Sequence, residues 1–376
     1  MTEPGTPAGI ADLDRLVAAL PGDEQARFER IFEVSVTTGR TVPPETMDDW
    51  LAGHFGSVEA VRQQRIVRVT NRVLGEGSLF NQLRAQRPLQ AGGEDSGLEE
   101  KLEASAGGPF CRPREGTPAD VFGRVEGAHC LTASNVAKYD GWHTVVIFED
   151  HHPLHFDFAQ FCDYLDTAQR WARAAHEADP EARYPFFLWN CLWRSGASIL
   201  HGHAQMTLTR GSHYARVESW RRAARAYRAE HGADYFADVV AVHRALGLAL
   251  EQGQATILAS LTPFKEKEIH VVGHALDDDM KAAIYFVMRT AIDRLGVSSF
   301  NAALYQPPLA PTPEDWGGFP LVFRFLDRGD LSHRTSDLGA MEIFAQSVVA
   351  TDPFRLARAL TDALAGGQAP AKEQGA

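Results

Sequence analysis

The chain has 376 residues, of which 44% are hydrophobic and 23% charged, and its formal net charge is −12. That length can bury one large core or two modest ones in a soluble globular protein. The acidic balance excludes a sequence-independent nucleic-acid binder, which needs a basic face, but allows a nucleotide held by a few local donors. No apolar stretch approaches the ~20 residues that span a bilayer, so no membrane partner is expected. The opening Met1-Thr-Glu-Pro-Gly has neither a basic n-region nor an apolar run. The four cysteines, Cys111, Cys130, Cys162 and Cys191, form no C-x-x-C pair. A reducing cytoplasm is the expected compartment.

In chain order, residues 10–85 read as helical. Ala11 to Leu20, Gln25 to Val36 and Val58 to Leu74 carry apolar residues at helical spacing, with a turn at Thr41 to Pro44. Arg62, Arg65, Arg68 and Arg72 recur every three or four residues and predict a solvated helix face. Residues 88–120 are rich in Pro, Gly, Glu and Ser and read as a linker or mobile loop.

A repeated order of elements follows. Residues 129–135 and 143–149 read as strands, Asp157 to Glu177 as an amphipathic helix, and Pro185 to Leu192 and His201 to Thr209 as strands. The second copy has strands at Ala255 to Leu261 and Glu268 to Gly273, a helix at Asp277 to Leu295, and strands at Ser299 to Gln306 and Pro320 to Leu326. Period-two strands with one long helix per copy predict an α+β fold, not alternating βαβ units. Pro263-Phe-Lys265-Glu-Lys267 reads as a charged, solvated hairpin tip. The tail from residue 365 is expected to be disordered.

The richest segment is Ser195-Gly-Ala-Ser198-Ile-Leu-His201-Gly-His203-Ala-Gln205. On a strand, His201, His203 and Gln205 would project from one face. A Gly/Ser loop before two imidazoles suits chemistry at phosphorus, one histidine attacking while backbone N–H groups hold anionic oxygens. A metal pair, or two satisfied core histidines, would give the same spacing. Trp189 and Trp193 read as core or as base-stacking residues, and Arg194 as a surface residue or a phosphate partner.

Asn190, Gly196, Ser198, His201, His203 and Gln205 resemble the active-site segment of the galactose-1-phosphate uridylyltransferase branch of the histidine triad superfamily. That branch includes dinucleoside polyphosphate and ADP-glucose phosphorylases. The resemblance covers roughly residues 110–360. It implies duplicated antiparallel modules with flanking helices and an N-terminal helical extension, here divided as 1–107, 108–215, 216–364 and a tail at 365–376. It implies a nucleotidyltransferase or phosphorylase acting by double displacement, with nucleotide or nucleotide-sugar substrates and a homodimeric assembly.

The resemblance makes His203 the nucleophile toward an α-phosphorus, with His201 and Gln205 beside it. Gln205 cannot deliver a proton but can donate amide hydrogens to a phosphate oxygen, which favours exchange between phosphorylated partners over hydrolysis. Asn190, Arg194, Gly196 and Ser198 are the candidate nucleotide and phosphate contacts, and Glu342 a candidate sugar contact. Asp337 stands where the related enzymes have a basic residue, which weakens the case for a hexose phosphate acceptor. The second-copy strand Leu321-Val-Phe-Arg-Phe325 has no histidine pair and is expected to be structural. Some related enzymes bind zinc through a C-x-x-C, a downstream histidine and the first motif histidine. Cys111-Arg-Pro-Arg114 keeps one cysteine, so Cys111, His151 and His201 fall one short of a closed site, and no zinc is expected, with zinc or another divalent cation at these three residues as the alternative.

Overall fold

The computed structural model describes residues 8–81, 83–84, 97–333 and 335–367. Its strands are β1 (Phe32–Arg40), β2 (Gln63–Asn71), β3 (Glu76–Phe80), β4 (Cys130–Ser134), β5 (Trp142–Phe148), β6 (Ala182–Cys191), β7 (His203–Arg210), β8 (Ala249–Gln252), β9 (Ala255–Ala259), β10 (Ile269–Gly273), β11 (Phe300–Tyr305), β12 (Leu321–Asp327) and β13 (Ser347–Val349). They form two sheets, one of nine strands in the order β4-β5-β7-β6-β11-β12-β10-β9-β8 and one of four in the order β1-β2-β3-β13.

The large sheet is antiparallel throughout and carries both expected copies. Copy one contributes β4-β5-β7-β6 and copy two β11-β12-β10-β9, so strand order mirrors across the β6–β11 join. β12 therefore holds in copy two the place that β7 holds in copy one. The fold is α+β and duplicated. The helix Phe158–Ala178 starts at Asp157, whose side chain accepts from Gln160 N–H while Gln160 reaches back in a capping box. Its buried stripe of Phe161, Tyr164, Leu165, Ala168, Trp171, Ala172 and Ala175 packs on β4, β5, β6 and β7. Asp157's counterpart, Asp277, caps the helix Asp278–Asp293, which covers β8, β9 and β10. Two helices, Ala215–His231 and Tyr235–Ala245, connect the copies.

The N-terminal region differs from the helical expectation. Helices cover Leu13–Ala18 and Gly22–Ile31, but the chain then becomes β1, and the helix beginning at Val58 ends at Arg62. Along β2, Val67, Val69 and Asn71 are buried and Arg68 and Thr70 are not, a period of two. The arginine spacing that suggests a helix runs from the end of the Val58–Arg62 helix across the strand to the residue after it, and the buried valines decide. Arg68 and Arg72 instead lie across β1 from Glu33. The expected linker at 88–120 is partly helical, at Leu98–Ser105, Pro109–Cys111 and Pro113–Gly116, and its residues 88–96 lie outside the described set. The expected tail begins inside a helix, Pro353–Ala365, and its residues 368–376 lie outside the described set.

The charged segment at 263–267 is not a solvated tip. Lys265 is buried and bonds the Asp337 carbonyl, Lys267 pairs with Asp327, and Glu266 accepts from Ala350 N–H and Thr351 N–H. On the sheet face above β12, Arg324 and Glu268 form a buried pair. Arg324 Nε lies 2.8 Å from Glu268 Oε1, which also takes His270 Nε2 at 2.9 Å. Trp220 and Tyr305 flank the guanidinium. Copy two thus fills its equivalent of the motif face with an internal ion pair. No helix among the described residues is long and apolar enough to cross a membrane.

Candidate active site

The motif sits between β6 and β7. β6 ends at Cys191, and Leu192 then takes φ 65° and ψ 175°, a region that non-glycine residues avoid. Its buried carbonyl is the hub of the turn, accepting from Ser195 N–H, Ser195 Oγ at 2.7 Å and Ala197 N–H. Gly196 follows at φ 93°, where a side chain would be strained. Gly196 and Ser198 are exposed on this turn.

His203 opens β7 and pairs in register with Ile147. Its Nδ1 lies 2.8 Å from the His201 carbonyl oxygen. The carbonyl can only accept, so Nδ1 carries the hydrogen and Nε2 keeps its lone pair. Burial holds the His203 pKa below the usual histidine value, so the ring stays neutral. The ring is 8% exposed, with Phe110 edge-on at 5.3 Å between centroids. Phe110 and Ile147 also line a cavity of about 390 Å³.

Gln205 lies two residues on, on the same strand face. Its Oε1 is 2.7 Å from Nε2 of His143, a fully buried residue of β5. Tyr139 N–H donates to His143 Nδ1 at 3.0 Å, which leaves the ring hydrogen on Nε2 and makes Gln205 Oε1 the acceptor. Asn135 Nδ2 makes a longer 3.3 Å approach to the same nitrogen. Burial depresses the His143 pKa, consistent with this neutral tautomer. The Gln205 NH₂ is thereby turned away from His143, oriented to donate.

His201 does not continue that row. It lies in the bend before β7, and its Nε2 is 2.9 Å from the Phe148 carbonyl. His151 Nε2 is likewise 3.0 Å from the Leu102 carbonyl. Both Nδ1 lone pairs then face one another at 3.0 Å, with Cys111 Sγ at 3.3 and 3.4 Å. Two lone pairs at this distance repel unless a proton or cation lies between them. Tetrahedral zinc, with bonds of ~2.0–2.1 Å to nitrogen and ~2.3 Å to sulfur, puts nitrogens about 3.3 Å apart and nitrogen–sulfur pairs about 3.5 Å apart. The residues fit such an ion, and the carbonyls behind each ring supply the outer-shell acceptors that fix metal-binding histidines. Three candidate ligands, one short of a closed site, carry the expectation of no zinc. The structure brings all three candidates into one group.

The remaining candidates separate. Asn190 Oδ1 accepts from Asn301 Nδ2 at 2.7 Å across the β6–β11 join. Asn301 also donates to the Ser195 carbonyl and accepts from Arg328, which makes a bidentate pair with Asp337. Asp337 is thus occupied as the partner of Arg328. Arg194 is spent on the carbonyls of Arg328, His333 and Thr335. Glu342 lines a cavity of about 460 Å³, distinct from the one beside Phe110, together with Arg194, Lys265, Arg328 and Asp337. Trp189 is a buried core residue, and Trp193 donates to the Leu331 carbonyl. His143, Asn301 and Phe110 were missed in the sequence. The signal for the first two was a polar side chain in a mostly apolar strand, His143 in β5 and Asn301 in β11.

No protein-family description matches the sequence, and no curated protein is similar to it. Solved structures are similar. An ADP-glucose phosphorylase from Arabidopsis thaliana with bound ADP-glucose has a TM-score of 0.58 at 16% identity, over 77% of this chain and 95% of that one. A GalT-like protein from the same plant has a TM-score of 0.54 at 18% identity, over 67% and 90%. A uridylyltransferase mutant gives 0.54 at 17%, over 80% and 98%. The chain has the fold of these proteins.

Proposed function

We propose that the protein is a nucleotidyltransferase acting by double displacement through a covalent nucleotidyl-histidine at His203. The carrying observation is the 2.8 Å contact from His203 Nδ1 to the His201 carbonyl, which leaves Nε2 as a neutral nucleophile. Nε2 attacks the α-phosphorus of a nucleotide sugar or dinucleotide. The Nε2–P bond forms as the bond from phosphorus to the bridging oxygen breaks, and the sugar phosphate or phosphate leaves as an anion that needs no proton. The imidazolium so formed keeps its Nδ1–H on the His201 carbonyl. Gln205 donates an amide hydrogen to a nonbridging oxygen, where negative charge builds in the transition state. An acceptor phosphate oxygen then attacks from the vacated side and the Nε2–P bond breaks. Asn190, with its oxygen held by Asn301, keeps its NH₂ for the nucleotide, and the cavity beside Phe110 takes the base.

Cys111, His151 and His201 hold zinc in this reading. When bound, the ion supplies a fixed charge that anchors the His201 peptide. The protein is also taken to be a cytoplasmic homodimer. The test is incubation with α-³²P-labelled nucleotide sugars and dinucleoside polyphosphates. An acid-labile, base-stable label absent from His203→Ala is expected; no label from any donor, or one that survives the substitution, ends the proposal.

A further inference from the structure

The cluster at Cys111, His151 and His201 supplies three donor atoms, and zinc prefers four. No other His, Cys, Asp or Glu among the described residues joins the group. All three lie on the wall of the cavity of about 390 Å³. Arg114, three residues after Cys111, stands at the spacing from which a second cysteine would chelate, and lines the same cavity. A guanidinium cannot ligate a cation, and this one is turned toward Glu126. Ser105 Oγ, the nearest hydroxyl, meets His151 at Nε2, on the side away from the cluster. The group therefore offers three donor atoms on the wall of a cavity whose lining, at Arg114, supplies no fourth.

We propose that the bound ion keeps its fourth coordination position open to this cavity, on the side of Arg114, and takes an exogenous monodentate Lewis base there. Water occupies the position at rest. A thiolate, an imidazole or a small anion replaces it by simple exchange, one metal–oxygen bond breaking and one metal–ligand bond forming, with no change of oxidation state. The inference rests on the metal reading of the preceding section and adds a ligand site to it. A closed structural site would have no such position.

The test uses the full chain, stripped of metal and reloaded with cobalt(II), whose visible d–d bands report coordination directly. Cyanide, imidazole and 2-mercaptoethanol are titrated separately. A saturable shift of the bands is expected in the wild type. In R114C, which restores a Cys-x-x-Cys pair, sulfur-to-cobalt charge transfer should strengthen and the response to added ligand should be lost. Cobalt bound stoichiometrically with bands unmoved by all three ligands overturns the open position. An R114C protein that gains the stronger charge transfer yet still responds overturns its placement beside Arg114. If R114C does not fold, the wild-type titration decides alone. Failure of the chain to retain either zinc or cobalt in equilibrium dialysis brings down the metal reading itself.

Discussion

His143 touches no substrate in this scheme, yet its replacement by phenylalanine should slow the first half-reaction markedly. Phenylalanine keeps the ring's bulk and its stack on Tyr139, at 4.4 Å between centroids, but removes both nitrogens. Gln205 Oε1 then loses its 2.7 Å donor in a buried site, and nothing opposes rotation of the amide so that oxygen, not NH₂, meets the phosphate. An unpaired buried polar group costs ~1–3 kcal/mol, or roughly 5- to 150-fold in rate if the loss falls on the transition state. The ceiling is the roughly 10²- to 10³-fold loss seen when an oxyanion donor is removed outright. The assay is single-turnover formation of the labelled enzyme, with the donor that the screen identifies. It compares wild type, His143→Phe, Gln205→Ala and the double variant. If His143 acts through Gln205, the double variant is no slower than Gln205→Ala alone. A His143→Phe enzyme labelled at the wild-type rate, or a double variant whose losses simply multiply, would refute the reasoning.

Gly202→Ala places a Cβ 2.8 Å from the Phe148 ring and 3.1 Å from the Asp150 carbonyl. A loss of about 1–3 kcal/mol in urea unfolding is expected, with lowered zinc stoichiometry by atomic absorption. Arg324→Met strips the buried Glu268 carboxylate of its guanidinium and leaves it His270 as a side-chain partner; the loss should cost about 3–5 kcal/mol, while adding Glu268→Gln should recover a large part, and thermal denaturation of the two variants decides. His213 and His243 are buried with pKa values lowered to about 4. Their stabilising effect is complete above pH ~6.5, and it fades as pH falls toward 4 because only the unfolded chain takes up protons in that window. Urea midpoints measured from pH 7 to 4.5 should fall, and His243→Gln should flatten the slope. For His203 the pKa is also depressed, so half-reaction rates should hold to below pH 6.5 before declining.

The duplicated core was legible because its strands read as alternating or continuous apolar runs and its two long helices carry apolar stripes. β2 was not, because Arg62, Arg65, Arg68 and Arg72 repeat at a helical interval across the strand and its two flanks, while burial along the strand alternates. The segment at 98–116 looks like a linker by composition, and tertiary contacts give it structure: Leu102 is buried, Phe110 packs on Val145 and Ile147, and Ser105 and Cys111 meet His151 and His201. In the candidate site, the placement of His203 and Gln205 on one face of a strand was legible from spacing. The partition of His201 away from them was not, since it depends on which carbonyl each ring nitrogen meets. His143 and Asn301 come from strands remote in sequence, and only sheet register brings them to the motif.

Every residue of the histidine motif belongs to the first half of the chain, but Asn190 is braced by Asn301 from the second. The half that has no histidine pair still furnishes the rim against which the other half is seated. Expressed apart from its sibling, the motif-bearing half would carry the full set of motif residues and an unsupported β6 edge, a workshop missing one of its walls.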